Sequence, residues 1–215
     1  MDPSQAPRSV AAGGTDPGAV PAAGALPRSG DPMGGGFATD ADPGAAAIDR
    51  LDQPLFDRLA AAAAARPRRR LNHNLHAEPE AVQRFLNALQ PGTYVRPHRH
   101  LRSSPGEGFE CFVVLQGAIG LLVLDPNGAV LARERLEAAG PLRGIQLAEG
   151  QFHTLVALSA DAVMFEVKQG PYVPAADKDF LAGFPLEGTP EAAAQERAWR
   201  ALFEEGGRAE ADAPG

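Results

Sequence analysis

The chain's five histidines lie between positions 73 and 153, and three of them are placed to bind a metal ion. In His98-Arg99-His100, two imidazoles stand two residues apart. On a strand, alternate side chains share a face, so both rings point the same way, about 7 Å apart along the backbone. Their nitrogens can converge on one ion. Glu110 leads into an apolar run in which Phe112 and Val114 share its face. His153 opens another, with Leu155 and Ala157 on its face. Three imidazoles and one carboxylate suit a divalent first-row transition metal: Fe, Mn, Co, Ni, Cu or Zn. The residue types do not choose among them. An ion with open positions polarises a carbonyl, lowers the pKa of bound water or, as iron, binds dioxygen. Glu107 is the rival carboxylate and the nearest candidate for a catalytic base.

These residues must be carried by strands. From residue 91 to 168 the chain reads as strands and turns. The expected strands are 93–100, 109–115, 118–124, 130–136, 144–147, 154–158 and 162–168. Asp125-Pro-Asn-Gly128 is a turn signal, because Pro fixes φ and Asn-Gly permits positive φ. Gln116-Gly117 marks another tight connection. Short strands at this spacing predict a β-sandwich or barrel.

Helices are expected before the barrel, over residues 47–90. Ile48, Leu51, Leu55 and Leu59 recur at helical spacing. The basic cluster at 66–70 falls where that helix should end and would complement its dipole; contact with a phosphate or sugar nucleotide is the alternative. A second helix is expected from Ala81, Phe85 and Leu89 at i, i+4 and i+8, with Pro79 at its start. Residues 169–189, rich in Pro and Gly, read as an extended arm around the barrel. Residues 190–215 read as a short helix with Trp199, Leu202 and Phe203 on one edge, then a frayed end.

Composition narrows the class. The 215 residues include 24 Gly and 20 Pro, and 41 of the apolar residues are Ala. The core-forming residues suffice for one domain of moderate size. Residues 1–46 hold nine Gly and seven Pro without apolar periodicity and read as a disordered tail. A single Cys, Cys111, excludes an internal disulfide and a Cys-rich zinc site; its alternation with Glu110 predicts a packed thiol. No apolar run approaches the ~18 residues of a membrane span, and the first residues do not read as a secretory signal. A cytoplasmic protein with no membrane partner is expected. The net charge of −7 argues against nucleic-acid binding.

The spacing Gly92-x5-His98-x-His100, then Glu110-x6-Gly117, resembles the first motif of the cupins, and Gly150-x2-His153 resembles the second. The nine residues between His100 and Glu110 exceed the usual cupin gap. Four further stretches narrow the resemblance: RPRRRLNHNLH at 66–76, VQRFLNALQPGTYVRPHRH at 82–100, GQFHTLVAL at 150–158 and FEVKQGPYVPAADKDF at 165–180. Together they resemble the WbuC-type cupin fold metalloproteins over residues 47–188. That resemblance implies a mainly β cupin double-stranded β-helix, or jelly roll, with a bound divalent metal and a place in surface-polysaccharide metabolism. It puts His98, His100, Glu110 and His153 on the ligand positions.

Around this centre, Arg96 shares the parity of His98 and could bind an anionic substrate; Tyr94, Lys168 and Tyr172 are further substrate-binding candidates. Arg99 alternates away and reads as a surface charge. His73 and His76 read as solvated, or as lining the mouth. The expected partner is a small molecule such as a sugar or sugar nucleotide, and pairing through edge strands would allow a homodimer. The residues leave open whether the protein is an enzyme or a non-catalytic binding cupin with a structural metal.

Overall fold

The computed structural model describes residues 48–102, 108–171 and 178–204. The expected tail at 1–46 and the last eleven residues lie outside these. The described chain holds two helices, α1 (Gln53–Ala64) and α2 (Pro190–Ala201). Its strands are β1 (Arg70–Asn74), β2 (Val82–Leu89), β3 (His98–Arg99), β4 (Phe109–Gln116) and β5 (Ala118–Leu124). They continue as β6 (Val130–Glu137), β7 (Gly144–Ala148), β8 (Phe152–Ala157), β9 (Ala162–Gln169) and β10 (Asp179–Phe180).

The strands pair as nested antiparallel partners: β5 with β6, β4 with β7, β3 with β8 and β2 with β9. Rolling such a set up gives two facing sheets, ordered β1-β2-β9-β4-β7 and β10-β3-β8-β5-β6. This is the expected mainly β jelly-roll barrel, with β1 and β10 added as edge strands.

Alternation along the strands sorts the core into three layers. Inward-facing Phe112, Val114, Ile119, Leu121, Leu136, Leu155 and Met164 fill the barrel. On the outer face of the first sheet, Leu71, Leu86, Ala88 and Val163 pack under Leu55, Phe56, Leu59 and Ala63 of α1. On the outer face of the second, Leu122, Phe152 and Val156 pack with Trp199 of α2. Each fully buried Leu or Phe contributes roughly 1.5–3 kcal/mol.

Several expectations need correction. The stretch around Ala81, Phe85 and Leu89 is strand β2, not a helix. A spacing of four fits one face of a strand as well as of a helix, and eight consecutive pairings with β9 decide for the strand. The first helix begins at Gln53, where the Asp52 carboxylate accepts the Leu55 N–H at 3.1 Å and Pro54 occupies the first turn. Ile48 and Leu51 precede it and are 60% and 42% exposed. The arginines at 66–70 lie beyond the last turn, and Arg70 begins β1. Arg68 and Arg70 both bind Glu187, so the arm satisfies these cations.

The expected strand at 93–100 contributes a ladder only at β3. The others fall within about two residues of expectation, and Gly128, at φ 88°, closes the predicted turn between β5 and β6. Among the described residues, no helix is long and apolar enough to cross a membrane.

Candidate metal centre

His98 on β3 stands directly opposite His153 on β8 in the antiparallel register, with ring centroids 4.7 Å apart. His100 follows at the end of β3, and its ring meets that of His98 edge-on at 5.1 Å. Two contacts fix this arrangement. The Thr154 hydroxyl donates to the Val95 carbonyl at 2.6 Å, tying the approach to β3 onto β8. The Gly150 N–H donates to the His100 carbonyl at 3.1 Å. Gly150 holds φ at 81°, a left-handed conformation that glycine adopts at little cost.

Glu110 reaches the same point from the other sheet. Its Oε1 lies 3.3 Å from His100 Nε2 and its Oε2 lies 3.0 Å from His153 Nε2. All four residues are buried. One ligand nitrogen from each of the three histidines lies within 4.8 Å of the others. Beside them is a cavity of about 10 Å³, lined by His100, Glu110, His153 and Leu147 among others. That is room for a single water or ion.

The protonation states follow from the partners. His98 Nδ1 is 2.9 Å from the Arg96 carbonyl, and His153 Nδ1 is 3.0 Å from the Gln151 carbonyl. A carbonyl only accepts, so both Nδ1 atoms carry hydrogen and both Nε2 atoms turn inward. This is the second-layer hydrogen bond typical of metal-ligating histidines. Burial, with the charges of Lys178, His153 and His100, pushes His98 well below the usual imidazole range and keeps the ring neutral. Burial raises the Glu110 carboxyl, but the adjacent His153 and His100 outweigh it and hold the carboxyl well below its usual range. The donor set therefore fits a divalent cation.

A second polar tier stands beside Glu110 on the inner face of the first sheet. Glu166 of β9 is buried, hydrogen-bonded to Glu110, and accepts from Asn87 Nδ2 at 2.7 Å. Asn87 in turn accepts from Asn72 Nδ2 at 3.2 Å. Burial and the Glu110 charge push the Glu166 carboxyl well above the usual range, against the opposing pull of Lys168, so it keeps its proton. Glu166, Asn87 and Gln83 escaped the sequence reading. Reading β2 as a helix hid Asn87 and Gln83. The available signal for Glu166 was two ionisable residues alternating with Met164 on an otherwise apolar strand.

The other candidates divide. Lys168 is buried on the inner face, its ammonium 5.5 Å from the Phe85 ring centre. Arg96 lies over the Phe180 ring at 4.9 Å, and Phe180 touches His98, so Arg96 stands at the rim. Tyr94 is placed elsewhere: it stacks on Trp199 at 5.7 Å beneath α2, and its hydroxyl donates to the Pro185 carbonyl. Glu107 and Tyr172 lie outside the described residues.

Arg99 points outward, bound to Asp179 at 2.6 Å and stacked over Phe152. His73 faces outward on β1, where burial and then the charge of Arg58 lower its pKa. His76 contacts the Phe85 ring at 5.7 Å and hydrogen-bonds the Arg84 backbone. Cys111 is a half-buried free thiol.

Residues 51–136 match the family model DUF6016, a domain of unknown function. That match includes His98, His100 and Glu110 and stops before His153. No curated protein matches the sequence. Among solved structures, the chain is similar to the capsular polysaccharide assembling protein CapF from Staphylococcus aureus. Identity is 18% and the TM-score 0.42, over 51% of this chain and 31% of that one, so the chain spans about a third of CapF. It is similar to KdgF from Halomonas sp. at 17% identity and a TM-score of 0.39, over 52% of this chain and 86% of that one. It is also similar to a Cupin_2 domain of an XRE family transcriptional regulator from Enterobacter cloacae, at 19% identity and a TM-score of 0.36, over 48% and 98%.

Proposed function

We propose that His98, His100, His153 and Glu110 hold one divalent first-row transition metal, and that the protein uses this centre on a small polar molecule, a sugar or sugar nucleotide. One observation carries the reading. His153 Nδ1 faces the Gln151 carbonyl, yet its Nε2 stands 3.0 Å from a Glu110 carboxylate oxygen. That contact needs a positive centre between the two atoms, a proton on Nε2 or a metal ion. The ligand nitrogens of His98, His100 and His153 lie within 4.8 Å of one another, a convergence that a proton does not require and a metal ion does.

A bound ion supplies Lewis acidity toward an oxygen of the ligand. The chain's own residues do the rest. The two backbone carbonyls orient His98 and His153. The apolar layer of Phe112, Leu121 and Leu155 closes the barrel below the centre to water. Glu166, hydrogen-bonded to Glu110 and to Asn87, places a second carboxyl beside the centre. The surface-polysaccharide setting draws its support from the sequence resemblance to the WbuC-type proteins.

A second reading, a non-catalytic small-ligand-binding cupin, is favoured by the engagement of Glu166 with both Asn87 and Glu110, which ties its carboxyl into the scaffold. Elemental analysis of protein purified without added metal tests the shared core. Close to one metal per chain is expected, falling below about a tenth in His98→Ala and His153→Ala. Metal-poor wild type, with melting temperature unmoved in both variants, would sink the proposal. Turnover of a candidate sugar that stops on chelation separates enzyme from binding protein.

A further inference from the structure

The wall of the barrel beside Glu110 carries donors that the metal reading does not use. Gln83, Lys168 and Glu110 stand in one row across β2, β9 and β4. Neighbouring strands lie about 4.8 Å apart, so Gln83 is about 10 Å from Glu110 between Cα atoms, with Lys168 between them. Gln83 is 1% exposed and Lys168 4%. Gln83 Nε2 has no hydrogen-bond partner among the described residues. A buried amide left in that state bears its full desolvation cost, so a native structure that keeps one calls for a reason. Its inward direction is fixed by parity: Leu86 and Ala88 of the same strand pack outward under α1, and Leu89 packs inward. Phe85, Glu166 and Phe112, all buried, occupy the next row, so two ring faces flank the Glu166 carboxyl there.

The Glu110 carboxylate faces the histidines at one end of the row, and the cations around the rest of this wall favour an anion. Lys168 places an ammonium inside the barrel. Lys178, just before β10, is near enough for its charge to act on both His98 and Glu166. Arg96 stands at the rim over Phe180. We infer that Gln83 and Lys168 bind the carboxylate of a small ligand whose hydroxyl or keto oxygens reach the histidine–glutamate centre, which makes the ligand a hydroxy or keto acid of sugar type. This rests on the metal reading and names the substrate class for it. A carboxylate fits better than a phosphate because the buried donors of this row are one amide and one ammonium. Among the described residues neither a guanidinium fork nor a helix N-terminus, the usual cradles of a tetrahedral dianion, joins this row; the Arg96 guanidinium lies over Phe180 at the rim.

Calorimetric titration of the cobalt-loaded full chain tests it, with glucuronate, glucose 6-phosphate and glucose as probes. Glucuronate is expected to bind at least tenfold more tightly than the other two. Lys168→Met and Gln83→Leu should each remove at least tenfold of that preference, with cobalt content unchanged. If Lys168→Met is insoluble, Gln83→Glu decides, since it keeps the shape of residue 83 and repels a carboxylate.

Stoichiometric cobalt with equal binding of glucuronate and glucose, or with tightest binding of glucose 6-phosphate, overturns the inference alone. So does a preference that survives in the variants, or cobalt lost from Lys168→Met, which would make that residue a support of the centre. Wild type that takes up no cobalt overturns the metal reading and this inference with it.

Discussion

Glu110 Oε2 on β4 lies 3.0 Å from His153 Nε2 on β8, so the candidate centre is a seam between the two sheets of the barrel. An ion held there ties a carboxylate of one sheet to imidazoles of the other. Metal binding should therefore be visible as stability. Binding only to the folded state adds about 2.7 kcal/mol when free metal is a hundredfold above its Kd. Calorimetric melts should show a higher Tm after metal is restored to chelator-treated protein. His153→Ala should melt at one temperature with or without metal. An equal metal-dependent rise in that variant would place the ion elsewhere.

Without metal, the same residues set a pH dependence whose sign is fixed. His98 lies well below its ordinary value when folded, so below about pH 6.5 the unfolded chain takes up a proton there that the folded chain refuses. That contribution is full above the unfolded pKa and fades as pH falls. Glu110 is also depressed when folded, and its contribution fades as pH falls below the ordinary carboxylate value. Both act in one direction, and the raised Glu166 carboxyl opposes them, since it favours the folded chain as pH falls. With that opposing group removed, the Tm of metal-free Glu166→Gln protein should fall from pH 7.5 to pH 4, and adding His98→Gln should flatten the upper part of that curve. Metal affinity should drop over the same range, because protons compete for the ligands.

The histidine centre was legible because its signal is local: two residues apart on a strand, then one His and one Glu at the heads of apolar runs. What lay beyond it needed partners distant in sequence. Phe85 and Leu89 satisfy a period of two and of nearly four alike, and only β9, some eighty residues on, shows that their segment is a strand. With β2 misread, inward-facing Gln83 and Asn87 had no face to be assigned to. Tyr94, named as a substrate-binding candidate, stacks on Trp199 beneath α2, a partner that is again distant in sequence. The start of α1 was present as Asp52 followed by Pro54, but Ile48 and Leu51 mimicked an earlier turn. Whether Glu110 or Glu107 faces the histidines is a question that spacing alone does not fix; Glu110 stands beside His100 and His153, and Glu107 lies outside the described residues.

Glu166 supports Glu110 from behind, with Asn87 donating to it at 2.7 Å. Partners of metal ligands typically carry 10–100-fold in affinity. Glu166→Ala leaves the Asn87 amide and the Glu110 carboxylate short of a partner and should weaken metal binding by about that factor in a chelator competition. Glu166→Gln keeps a hydrogen-bonding group of the same size and should stay within a few-fold of wild type. Equal losses in both would point to the proton on Glu166 rather than its placement.

Glu187 fastens the arm to the barrel. Its two oxygens accept from Arg68 at 2.7 Å each, and from Arg70 at 2.5 and 3.1 Å. Burial raises its carboxyl, but the paired arginines outweigh this and hold it below the usual range. Arg70 also donates to the Tyr94 carbonyl at 2.7 Å, so it keeps one partner if Glu187 is lost. Exposed pairs contribute little, and this one is partly exposed, so Glu187→Ala should cost about 1 kcal/mol or less at low salt. The difference from wild type should shrink toward 0.5 M salt as the pairing is screened. The mutation acts on the arm rather than the centre. Limited proteolysis should cut faster between Lys178 and Thr189, while metal content stays at the wild-type value. A fall in metal content with proteolysis unchanged would mean that the clamp positions the site, not the arm.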